Sequence, residues 1–134
     1  MHRDHAATFN ALGEALRQTG VPVICAYLFG SEARGAARPG SDVDVAVLLE
    51  DCAPRSLTGP LTDLRGELER AAGREIDLLD LRTAPPDLVH RVLRDGRLLV
   101  ERDPTRRIQF EVAARNAYFD LLPHLRRYRR GQAA

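Results

Sequence analysis

Residues 29–47 read FGSEARGAARPGSDVDVAV, and the period of two in its second half decides how the chain is organised. Asp42 and Asp44 are separated by one valine, so in a strand they share a face while Val43, Val45 and Val47 share the other. Two residues of strand rise put the two Cα atoms roughly 6–7 Å apart, a spacing from which both carboxylates reach cations ~3.5–4 Å apart. An all-oxygen donor pair favours Mg²⁺, with Mn²⁺ as the alternative, over zinc, and Mg²⁺ completes its shell with water and substrate phosphates. The expected substrate is a nucleoside triphosphate. Ahead of the acids, Gly30 lets the backbone approach a phosphate, while the Ser31 hydroxyl and the amides opening a short helix supply donors to its oxygens. Arg34 offers a planar fork to a phosphate, and Gly35 again relieves crowding.

Outward from this stretch the elements follow in order. Residues 23–29, VICAYLF, form a continuous β-branched and aromatic run, as expected of a strand buried on both faces. A helix is expected over residues 4–19, with Phe9, Leu12 and Leu16 on its inner face and Gly20 and Pro22 beyond its end. Leu57, Leu61, Leu64 and Leu68 predict a helix over 56–72 closed by Gly73, and EIDLL predicts a strand over 75–79. Pro85–Pro86 opens a helix that turns Leu88 and Val92 inward, with Val89 and Leu93 as further inward candidates, and ends at Gly96; a strand is expected over 98–101. A helix over 105–130 carries Ile108, Val112, Phe119 and Leu122 on one side, with Tyr118 and Phe119 filling a packing seam and Pro123 kinking or breaking it. The order predicts an α/β fold with a small mixed sheet flanked by helices. One domain, 1–134, is expected, its core at about 4–101 and a C-terminal helical region at about 104–130.

Composition narrows the function. In 134 residues, 44% hydrophobic and 29% charged, the chain is too apolar to stay disordered. Twenty basic residues against nineteen acidic ones leave +1, so the surface as a whole is not a polyanion-binding face. Every basic residue is arginine, which excludes a P-loop lysine and any Schiff-base mechanism. Cys25 and Cys52 have neither zinc spacing nor a CxxC, and both read as small apolar fillers. No signal peptide and no membrane-length apolar run is present, so no membrane partner and a cytoplasmic location are expected. The arginine-rich stretch 124–132 around Tyr128 is expected to be solvated or to meet an acidic protein rather than RNA.

The pattern Gly30-Ser31, ten residues, Asp42-x-Asp44 resembles the nucleotidyltransferase superfamily that includes DNA polymerase β. More narrowly, Gly30-Ser31-x-Ala33-Arg34-Gly35 followed by Ser41-Asp42-x-Asp44-x-x-Val47 is similar to the minimal nucleotidyltransferases, the MntA-like antitoxins encoded beside HEPN toxins. The resemblance implies nucleotide binding by Gly30, Ser31, Arg34, Gly35 and Ser41, and a third carboxylate on a later strand. Glu75, Asp77 and Asp80 are the candidates. Asp77 matches the family's position, between apolar neighbours, whereas Asp80 falls on the other strand face as a cap. Asp42, Asp44 and Asp77 are then the expected catalytic and metal-binding set, holding two Mg²⁺. The implied activity is transfer of AMP from ATP to a tyrosine hydroxyl of a cognate HEPN RNase toxin, which silences it. An aminoglycoside-type small-molecule transferase and an antitoxin acting by contact alone are the alternatives.

Overall fold

The structure is a computed structural model that describes residues 5–33, 35, 42–50 and 59–133. The elements are α1 (His5–Gln18), β1 (Val23–Phe29), α2 (Gly30–Ala33), β2 (Val43–Leu49), α3 (Pro60–Ala72), β3 (Ile76–Asp80), α4 (Pro86–Asp95), β4 (Arg97–Glu101) and α5 (Pro104–Ala133). The sheet order is β3-β2-β1-β4. β1 runs antiparallel to both β2 and β4, and β2 pairs with β3 in parallel after the α3 crossover. This is the expected mixed sheet with helices on both faces.

Alternation in β2 divides two cores. Val43, Val45, Val47 and Leu49 pack with Leu12 and Leu16 of α1 and Leu64 and Leu68 of α3. Ala46 and Leu48 face the other way, with Tyr27, Val89 and Val92 under α4 and α5. The four helix leucines of the first core are fully buried, each contributing about 1.5–3 kcal/mol, and they hold β2 in place while Asp44, on its other face, stays half-buried. Cys25 is a buried filler, its thiol pushed up to about 11 by burial. No described helix is long and apolar enough to cross a membrane.

Several expectations are corrected. α3 starts at Pro60 rather than residue 56, because Gly59 sits at φ 79 as its N-cap and Pro60 is preset for the first turn; 56–58 lie outside the described residues, as does Cys52. β3 begins one residue later than 75–79, with the same side chains on each face. On α4, Val89 and Val92 are buried and Leu93 packs against the same core, as expected, whereas Leu88 is only half-buried. α5 continues through Pro123, which lies on an exposed part of the helix together with Phe119.

The docked face of α5 is also not the expected one. Ile108, Val112 and Phe119 are 52%, 48% and 61% exposed. A second apolar series, Phe110, Ala114 and Tyr118, sits one helix face away and packs inward. Specific anchors select it: Tyr118 stacks on His90 with ring centroids 3.6 Å apart, and the Tyr27 hydroxyl donates to Glu111 Oε1 at 2.6 Å. Arg107 bridges Glu111 at 2.9 Å and also pairs with Glu101 of β4.

Candidate active site

Strand register assembles the acids. Phe29 is opposite Asp44, and Asp44 is opposite Asp77, so one row crosses β1, β2 and β3. Paired residues on neighbouring strands project to the same face roughly 4.8 Å apart, which sets the Asp44 and Asp77 carboxylates side by side. Asp42 lies just before β2, exposed. Asp44 is half-buried, and its carboxyl is held above its ordinary range, first by burial, then by the charge of Asp77 and that of Asp42. A hydrogen bond with Asp77 adds to the effect when Asp44 is protonated.

This stored repulsion suits a hard divalent cation, and the donors are oxygen only. Among the described residues, however, no three acid, histidine or cysteine side chains already enclose a common metal position. The arrangement is a close pair, Asp44 and Asp77, with Asp42 at its margin, and a cation would have to draw Asp42 in.

Gly30 is fixed by the same carboxylate. Its φ is 71°, and a Cβ built there would stand 2.3 Å from Asp44 Oδ2. No side chain fits, so the turn lies directly against the acid. Gly35, at φ 68°, is exposed and donates its N–H to the Glu32 carbonyl at 3.1 Å. Ser31 lies in α2. The Ser31 side chain, Arg34 and Ser41 lie outside what the structure describes.

Asp80 is on the opposite face of β3, as expected, and serves the fold. Arg82 grips it with Nε and NH2 at 3.2 and 2.9 Å, the Arg82 N–H caps Oδ1 at 3.0 Å, and Arg82 NH1 donates to the Glu50 carbonyl at 3.2 Å. Glu75 is exposed just ahead of β3.

A contact outside the expected set joins the two halves of the site. The Glu32 side chain, only 4% exposed, accepts from Arg74 NH1 at 3.0 Å and pairs with His5 Nδ1 at 3.3 Å. Arg74 lies two residues before β3, so this ion pair straps the turn that carries Gly30 to the strand that carries Asp77. The one signal in the sequence was an acid inside a turn of small residues; its partner lies 42 positions away.

Comparison with known proteins agrees with this fold. Protein adenylyltransferase MntA of Shewanella oneidensis is 36% identical over 73 residues, 54% of this chain and 50% of that protein. The chain thus spans about half the length of that relative. A chain of a toxin–antitoxin crystal structure with AMP-PNP superposes with TM-score 0.77 at 27% identity, over 94% of this chain and 98% of its own. A chain of the MntA–HepT toxin–antitoxin structure gives 0.70 at 25%, over 95% and 97%. The profile described as polymerase beta, nucleotidyltransferase matches residues 11–105, and the chain belongs to that family.

Proposed function

We propose that the protein is an ATP-dependent adenylyltransferase antitoxin whose acceptor is a tyrosine of a cognate HEPN toxin. The observation that carries this reading is the single row from the Gly30 turn through Asp44 to Asp77. A glycine turn set directly against two adjacent carboxylates supports a phosphate and a divalent cation as ligands, the parts that nucleotidyl transfer requires. The 36% identical relative named a protein adenylyltransferase, and the AMP-PNP in a similar toxin–antitoxin structure, support ATP and a protein acceptor.

Asp42, Asp44 and Asp77 would hold Mg²⁺, which when bound offsets the triphosphate charge and lowers the pKa of the acceptor hydroxyl. The chain's own groups do the rest. The Gly30–Ser31 turn binds and orients the phosphates, with Arg34 and Ser41 supplying further donors. The acceptor oxygen attacks the α-phosphorus in line, forming the new O–P bond as the bond to the β-phosphate oxygen breaks and pyrophosphate leaves. The hydroxyl proton passes to the Asp77 carboxylate and from there to solvent. The strap from Glu32 to Arg74 keeps the phosphate turn and Asp77 in register.

The test is incubation with α-labelled ATP, Mg²⁺ and the purified HEPN protein of the neighbouring gene, followed by mass spectrometry. AMP on a partner tyrosine, lost in Asp77→Asn, is the expected result. Neutralisation that survives the combined Asp42→Asn, Asp44→Asn and Asp77→Asn changes would instead make contact the function.

A further inference from the structure

The row of residues also gives the transfer a direction. Gly30 lies on the β1 side of Asp44, and Asp77 on the other side, on the strand at the sheet's edge. Attacking and leaving oxygens lie in line through phosphorus. With the leaving end of the triphosphate on the Gly30 turn, as proposed above, the acceptor must therefore approach from the β3 side.

A groove of about 520 Å³ opens there, between the edge of β3 and α3. Three carboxylates, Asp42, Glu75 and Asp77, line one part of it, and Leu61, Thr62, Arg65 and Leu78 are among the residues that line the rest. Its floor includes a strand edge. Val43 N–H bonds the Glu75 carbonyl and Leu81 N–H bonds the Val47 carbonyl, so the odd-numbered residues of this segment face β2. Ile76 and Leu78 then turn their main-chain groups outward. The Ile76 N–H meets Glu69 Oε2 at 3.3 Å, and among the described residues no strand pairs with the edge at Leu78.

We propose that this groove is the acceptor subsite: an extended polypeptide segment lies along β3 as an added strand and delivers its hydroxyl side chain to Asp77. The proposal rests on the reading above that the acceptor is a protein. A strand edge recognises main chain, which a polypeptide has and a sugar lacks. Leu78, half-buried, offers apolar contact for alternate side chains. Arg65, 58% exposed and only loosely paired with Glu69 at 3.7 Å, brings a guanidinium into the groove that can donate to main-chain carbonyls of the incoming segment.

The experiment compares wild type with Arg65→Glu and Thr62→Trp, the second filling the groove from the exposed face of α3. The readouts are the KM for the HEPN protein, the Kd for AMP-PNP and the thermal midpoint. The expected result is a KM for the acceptor raised roughly tenfold or more, with AMP-PNP affinity and midpoint unchanged. Unchanged KM in both variants while wild type labels the tyrosine overturns the groove and leaves the transferase reading intact, and weakened AMP-PNP binding makes the groove a nucleotide site and also overturns it. Where wild type labels no protein, the transferase reading fails and a photo-crosslinking residue at position 62 decides the groove separately. Crosslinks to an extended segment of the HEPN protein support the groove; crosslinks elsewhere, or none, overturn it.

Discussion

Gly30→Ala separates the two demands made on the phosphate turn. Its methyl would lie 2.3 Å from Asp44 Oδ2, where ordinary contact needs about 3.5 Å, so the carboxylate must retreat by about 1 Å. At φ 71° alanine also carries backbone strain of about 1–2 kcal/mol. Strain alone should lower the thermal midpoint by roughly 3–10 °C in a domain of this size. A ~1 Å displacement of a reacting group costs about 10²-fold in rate, or about 2.7 kcal/mol of transition-state stabilisation. Gly73→Ala is the control, because Gly73, at the end of α3, has φ 66° but no atom within 4 Å of where a Cβ would stand. Both variants should lose similar stability, measured by thermal unfolding without nucleotide. Only Gly30→Ala should lose single-turnover AMP transfer at saturating ATP. Wild-type transfer in Gly30→Ala, or an equal loss in Gly73→Ala, would refute the claim that the turn is fitted to Asp44.

Asp44 binds its proton more tightly in the folded chain than in the unfolded one. Its contribution to metal-free stability is therefore complete below the ordinary aspartate pKa of about 3.9 and is lost as pH rises through the raised folded value. Metal-free Asp44→Asn should thus be at least as stable as wild type at pH 7 with a flatter pH profile, and Mg²⁺ should raise the wild-type midpoint more than the mutant's; identical profiles would refute this. Glu32→Gln removes the buried negative charge that faces Arg74 and should cost about 3–5 kcal/mol, with Glu32→Gln/Arg74→Gln recovering part of it in a double-mutant cycle read by denaturant unfolding. Asp80→Asn should lose stability by breaking the Arg82 grip yet retain transfer per folded molecule, whereas Asp77→Asn should do the reverse; a shared phenotype would contradict the assignment of the two acids to opposite faces.

The strand order of side chains was legible because alternation is local: Val43, Val45 and Val47 go to one core, while Asp42 and Asp44 share the other face, which Ala46 and Leu48 close further along. Turn chemistry was equally local at Gly30, whereas at Gly59–Pro60 the leucine period that included Leu57 masked the later helix start that the pair sets. The α5 face was misread for a different reason. Two apolar stripes compete on that helix, and the choice is made by Tyr27, His90 and Glu101, none of which belongs to it.

The strap between Glu32 and Arg74 illustrates what no local pattern reveals. The site needs a turn after β1 and an acid on β3, yet the path between them runs through β2 and the whole α3 crossover. Parallel pairing fixes Asp77 against Asp44, but it does not by itself tie the turn after β1 to β3. A buried carboxylate in the turn, held at 3.0 Å by an arginine at the mouth of β3, constrains the remaining degree of freedom. Its burial makes the constraint strong, since taking either charge away from the other leaves a poorly compensated ion, and its distance in sequence makes it invisible until the chain is folded.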